Sequence, residues 1–204
     1  MPPNQPDTLL FLPGASGNLD VWKPVADRLR HRAARRFIGW PGFGSTPADP
    51  DVRGFGDLIL RVEGALDGPT ALFAQSMGGT IALRAALRRP TQVSHLILSA
   101  TSGGIDLASL GVRDWRPSFR QDNPNLPTWF EDARLDLTYD LPKVTVKTLL
   151  LWGTKDEISP VIVGERLASL LPNATLYVVE DGEHDLVSTH ADEVTEVIDH
   201  HLSR

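Results

Sequence analysis

Apolar residues along this chain fall into two alternating patterns. Short, nearly unbroken apolar runs occur at residues 8–12, 69–75, 93–98, 148–152 and 175–179, with a shorter strand candidate at 36–38. Runs of that length, bounded by Gly, Pro or Ser, suit strands buried on both faces, as in a parallel sheet. Between them, apolar residues recur at helical spacing: Val21, Trp22, Val25, Ala26 and Leu29, then Phe55, Leu58, Ile59, Val62 and Leu66. Further helices are expected at 80–89, 161–171 and 192–201, each with one face toward a core. Asn18 or Asp20 is positioned to cap the first of them. Strands separated by amphipathic helices predict an α/β fold, with about six mostly parallel strands, right-handed crossovers and helices on both faces.

The rhythm breaks at about residues 102–147. Prolines 117, 124, 127 and 142 interrupt any long period there, among Trp115, Trp129 and scattered charges. Regular alternation resumes at 148 and no linker separates a second unit. The expected organisation is therefore one domain over residues 1–204, carrying a short cap-like insertion.

Composition narrows the function classes. The chain has 204 residues, 41% of them apolar and 23% charged, as in an ordinary globular protein. At this length folding buries roughly 70% of the surface of the unfolded chain, so no disulfide or metal staple is needed. A net charge of −6, with no long basic run, argues against binding nucleic acid through its phosphates. The absence of cysteine excludes thiol catalysis, thiolate-held zinc and disulfides. The first six residues have neither the positive region nor the apolar core of a signal peptide, and no run is long enough to span a membrane. A cytoplasmic protein with no membrane partner is the expectation.

Candidate chemistry begins at Ala74-Gln75-Ser76-Met77-Gly78, where a strand passes through a small-residue turn into a helix. This approximates the G-x-S-x-G turn that holds a serine clear of the backbone. Read alone it describes an ordinary turn equally well, since turns use both Ser and Gly. A serine hydroxyl becomes a useful nucleophile only beside a base, and the base needs a third group to orient it. Asp156 follows the strand at 148–152, with Glu157 as the less favoured acid, and His184 follows the strand at 175–179. In a parallel sheet the loops after strand C-termini gather on one edge, so Ser76, Asp156 and His184 would meet there. His31, His95, His190, His200 and His201 have no comparable context, and no residue is assigned to a metal.

Leu12-Pro13-Gly14, Pro41-Gly42-Phe43-Gly44, the Ser76 turn, Trp152-Gly153-Thr154-Lys155-Asp156 and Gly182-Glu183-His184 span nearly the whole chain. Together they resemble the α/β-hydrolase superfamily, whose triad runs in the order nucleophile, acid, histidine. Within it the chain is similar to small carboxylesterases and the menaquinone-pathway synthase group. The resemblance implies a compact form of that fold and a serine hydrolase acting on a small ester or thioester without a cofactor. It also implies an oxyanion hole built from the backbone N–H groups of Ala15 and Met77. Pro13 stands where many relatives have His, Ala74 replaces the first Gly of the turn, and the usual first two strands are missing before Thr8.

Further residues carry open alternatives. Gln75 and Met77 flank Ser76 and either line the site or pack. Trp40, Trp115 and Trp129 are candidate substrate-binding residues, with Phe119 and Phe130 beside the latter two walling a pocket or forming a satellite core. Arg113, Arg116 and Arg120 either meet a substrate carboxylate, Arg113 being the nearest candidate, or form a solvated, salt-bridged surface. Two other functions stay open: a lyase or carbon–carbon bond hydrolase using the same triad on an acidic substrate, and a non-catalytic ligand receptor on a hydrolase fold.

Overall fold

Among the residues that the computed structural model describes (5–127, 129–132 and 135–203), six strands pair in parallel into one sheet. Residues 1–4, on which part of the reading of the N-terminus falls, lie outside them. The strands are β1 (Thr8–Leu12), β2 (Ala34–Phe37), β3 (Thr70–Gln75), β4 (Val93–Ser99), β5 (Lys147–Gly153) and β6 (Ala174–Val179). Their spatial order is β2-β1-β3-β4-β5-β6. The chain thus steps outward from β1 to β2, re-enters beside β1 as β3, and then proceeds away. Between β1 and β3 the winding reverses, and loops leaving these two strands diverge to opposite faces.

Both faces are covered, as the unbroken apolar runs require. Alternate residues of each strand point to opposite sides. Leu9, Phe11, Ala71, Phe73, Ile97, Leu149 and Leu151 pack on α1 (Lys23–Arg28), α7 (Leu186–Thr189) and α8 (Ala191–Leu202), through Val25, Ala26, Leu186, Val187, Val194, Ile198 and Leu202. Leu10, Leu12, Leu72, Leu96, Leu98 and Leu150 pack against α2 (Phe55–Glu63), α3 (Met77–Arg88) and α6 (Val161–Leu170). Each such side chain, taken out of water, contributes about 2 kcal/mol.

Departures from the expected boundaries have local causes. The helix expected from residue 80 begins at Met77, because Gly78 and Gly79 are helical residues at tight contacts rather than turn residues. A β carbon on Gly78 would lie 2.5 Å from the Pro13 carbonyl oxygen, and one on Gly79 2.5 Å from the Thr101 side chain. The expected helix at 21–29 is a 3-10 turn, Leu19–Trp22, followed by α1 with Pro24 in its first turn. Asn18 caps that turn, its side chain accepting from the Asp20 N–H at 3.0 Å. The strand expected at 36–38 is β2, two residues earlier.

The segment expected as an insertion holds α4 (Arg116–Asp122), α5 (Trp129–Asp132) and two 3-10 turns, Ala108–Leu110 and Leu141–Lys143. It is anchored by Leu126, Phe130, Leu137, Leu141 and Val144, all buried in the core layer of α2, α3 and α6. No helix among the described residues is long and apolar enough to cross a membrane.

Candidate active site

Four loops at the C-terminal edge of the sheet build the site. At the end of β3, Ser76 adopts φ 52° and ψ −119°, a conformation that costs a non-glycine residue about 1–3 kcal/mol. Its neighbours impose it. The Ser76 N–H donates to the Ser99 carbonyl at 2.9 Å, and the Gly79 N–H donates to the Ser76 carbonyl at 3.0 Å. The side chain therefore stands at the N-terminus of α3, where the helix dipole favours negative charge.

The loop after β1 is held against this turn from two sides. Trp22 Nε1 donates to the Leu12 carbonyl at 3.1 Å, and Trp40 Nε1 donates to the Pro13 carbonyl at 2.9 Å. Gly14 lets the loop lie close, since a β carbon there would be 2.4 Å from Gln75 Oε1 and 3.0 Å from Ser76 Cβ. The next residue, Ala15, is buried, and its N–H makes no hydrogen bond among the described residues. The Met77 N–H, at the first position of α3, has no acceptor within the helix.

The loops after β5 and β6 bring the other two groups together. The Asp156 side chain is fully buried, and its Oδ1 accepts from the N–H groups of Ile158 and Ser159, both at 2.9 Å. Trp152 Nε1 donates to the Ser159 carbonyl at 2.8 Å, tying that loop to β5. The two loops touch backbone to backbone: the Lys155 N–H donates to the Gly182 carbonyl at 2.9 Å, and a β carbon on Gly153 would lie 2.1 Å from that oxygen. His184 Nδ1 lies 2.9 Å from Asp156 Oδ2 and 3.1 Å from Oδ1. A buried carboxylate at Nδ1 requires a proton there, which leaves Nε2 as the basic nitrogen.

Ser76, Met77 and His184 share the wall of a cavity of about 340 Å³ between this edge and the segment that follows β4. Trp115 also lines it. Gln75 does not; it is buried behind the edge and donates from Nε2 to the His184 carbonyl at 3.2 Å. Trp40 is fully buried and serves the Pro13 carbonyl instead. Trp129 packs against Phe43 and Phe55, with ring centroids 5.8 and 5.9 Å away, outside the wall. Arg113 is exposed and away from the cavity, while Arg116 lines it, bound to Asp114 at 3.1 Å and lying over the Trp115 ring. Arg120 donates to the Leu126 carbonyl. Trp115 and Phe130 wall the cavity, and Phe119 packs on both in a small aromatic cluster. Among the described residues no group of three or more His, Asp or Glu is arranged to hold a metal.

A family model described as the alpha/beta hydrolase fold matches residues 7–139 and 112–191. The chain belongs to the α/β-hydrolase fold family. Within it, this hydrolase is 22% identical over 235 residues to a pimeloyl-[acyl-carrier protein] methyl ester esterase of Aliivibrio salmonicida, covering 93% of this chain and 90% of the relative. It is 28% identical over 231 residues to the polyketide synthase ThaQ of Burkholderia thailandensis, covering 90% of this chain and 11% of that protein's length. Among solved structures it is similar to a thermophilic esterase from Thermogutta terrifontis, with a TM-score of 0.73, 23% identity and coverage of 94% and 87% of the two chains.

Several wall residues of this hydrolase carried no signal in the sequence. Phe55 reads as a helix-face residue, and Thr80, Ser102 and Ser159 read as small polar residues near turns. Only the winding of the chain places them around one cavity.

Proposed function

We propose that this α/β hydrolase cleaves a small carboxylic ester or thioester through an acyl-enzyme on Ser76. The observation that carries the reading is the bond from His184 Nδ1 to buried Asp156, with His184 on the same cavity wall as the strained Ser76. In this reading Ser76 Oγ attacks the carbonyl carbon while His184 Nε2 takes its proton. Asp156 stabilises the imidazolium. The N–H groups of Ala15 and Met77 receive the negative oxygen, a contribution of roughly 3 kcal/mol each to the barrier. His184 then protonates the leaving alcohol or thiol, and water, deprotonated by the same ring, releases the acid. These steps need no metal or organic cofactor. The ester substrate named for the Aliivibrio relative supports the substrate class. The cysteine-free chain fits a cytoplasmic setting, which cell fractionation tests.

A fluorophosphonate probe should label the folded protein at Ser76, and Ser76→Ala should abolish both labelling and ester turnover. Labelling that persists in Ser76→Ala, or none in the wild type, removes the reading. The lyase alternative on an acidic substrate is less well supported, because of the three arginines only Arg116 reaches the wall and Asp114 already engages it.

A further inference from the structure

Resting on the hydrolase reading, one wall of the cavity limits the acyl group further. Thr80 lies in the first turn of α3, four residues after Ser76, and lines the same cavity. Its Oγ1 is 3.3 Å from the Oγ of Ser102, which leaves the end of β4, and both residues line the cavity. Ser102 Oγ also accepts the Gly104 N–H at 3.3 Å. Two hydroxyls bring two hydrogens, and the contact between them uses one. Neither hydroxyl has another partner among the described residues, so whichever way the pair is oriented one O–H lacks a protein acceptor. Thr80 is almost wholly buried, where a donor without an acceptor is costly, which favours donation from Thr80 to Ser102 and leaves the Ser102 O–H facing the cavity. Much of the remaining wall is apolar, including Phe55, Ile105, Val112 and Phe130.

We infer that the Thr80–Ser102 pair is a specificity element that donates one hydrogen bond to a neutral oxygen carried on the acyl chain a few bonds from the reacting carbonyl. A keto, hydroxyl or ether oxygen satisfies the free O–H. A carboxylate is disfavoured because Asp106, Asp114 and Asp136 lie in the wall, while its one arginine among the described residues, Arg116, is bound to Asp114. Hydrogen bonding keeps the Asp136 carboxyl below its usual range, through the Thr138 backbone and side chain, so it is charged at neutral pH.

The test compares ethyl 4-oxopentanoate, ethyl pentanoate and monoethyl succinate. In the wild type kcat/KM for the oxo ester should exceed that for the plain ester about five- to tenfold, with the succinate ester below both. In the double variant Thr80→Val/Ser102→Ala, which removes both hydroxyls, the oxo-to-plain ratio should fall to about one, and Thr80→Ser, which keeps both, should retain most of it. A merely structural role would lower turnover of both esters together and leave their ratio unchanged, which overturns the inference, as does a preference for the succinate ester. Binding to Ser76→Ala by calorimetry separates this inference from the hydrolase reading. A Kd ratio of five to ten that collapses in Ser76→Ala/Thr80→Val/Ser102→Ala supports the pair even where no ester is turned over, and equal affinities overturn it even where both are.

Discussion

The C-terminal edge of the sheet and the segment that arches over it are built by different means. At the edge, backbone meets backbone: Gly78 against Pro13 and Gly153 against Gly182, with indole N–H groups pinning carbonyls behind them. No side chain could be added at these contacts without moving main chain. Over the arch, the contacts are ring on ring, Trp115 with Phe119 and Phe130, together with short turns in which an aspartate caps the N–H two residues on, as at Asp106 and Asp114. Such contacts tolerate a change of shape. A site assembled this way has a stiff reacting half and an adaptable recognising half, and substitutions in the two halves should differ in kind.

The largest expected effect tests the stiff half. Asp156→Asn keeps a side-chain oxygen for the Ile158 and Ser159 N–H groups but turns an amide toward His184, favouring the wrong ring tautomer. Its kcat for a simple ester should fall about 10³–10⁴-fold, with little change in thermal stability. A fall below tenfold would mean that the edge does not act through this ring.

Acid tests the framework beneath both halves. His95 is buried in β4 toward the other end of the sheet, facing His201 of α8 at 5.4 Å between ring centroids, with Ser94 on its Nδ1 and Lys147 of β5 and His31 nearby. Burial, reinforced by those positive neighbours, lowers its pKa from 6.5 to about 4. Above pH 6.5 the ring is neutral folded or unfolded, and this contribution to stability is complete. As pH falls, the unfolded chain takes up a proton that the folded chain refuses. Stability should therefore drop by about 3 kcal/mol between pH 6.5 and 4, beyond which the folded ring protonates too. Urea unfolding of His95→Gln against the wild type across that window should show the drop reduced by that amount. An unchanged profile would place the acid sensitivity elsewhere.

The smallest effects make the sharpest comparison. Trp40→Phe, which removes the N–H holding Pro13, should lower kcat about tenfold and leave KM within about twofold, because it loosens the loop that presents Ala15. Trp115→Phe, in the arch, should do the reverse, raising KM about threefold with kcat within about twofold. Steady-state kinetics on one ester decides both, and equal effects on KM would dissolve the distinction between the halves.

Legibility in the sequence followed the same division. Strands buried on both faces announce themselves as apolar runs, so β1 has the boundaries expected from its residues. β2 is an edge strand whose four residues are all exposed, so its pattern carries little of that signal and its position was two residues off. The order of Ser76, Asp156 and His184 was readable because each follows a strand, and a parallel sheet delivers all such loops to one edge. The wall was less readable. Trp40 was expected at the substrate and instead faces a carbonyl, since an indole beside a Gly-rich loop looks the same in sequence whichever partner it meets. Arg113 was a candidate and Arg116 lines the cavity, a difference set by the Asp114 turn that precedes α4 in a segment without a long period. Thr80 was hidden inside a good helix.

The indole hydrogen bonds also have an optical consequence. Trp22, Trp40 and Trp152 are wholly enclosed and each is tied to a carbonyl at or near the reacting edge, whereas Trp115 and Trp129 are half-buried in the arch. With five tryptophans in the chain, fluorescence divides along the same line as function. Three emitters are shielded from an aqueous quencher and report on the integrity of the loops at the sheet edge. Of the two more accessible emitters, Trp115 lines the cavity and registers whatever settles in it, so one unlabelled sample carries separate signals for each half.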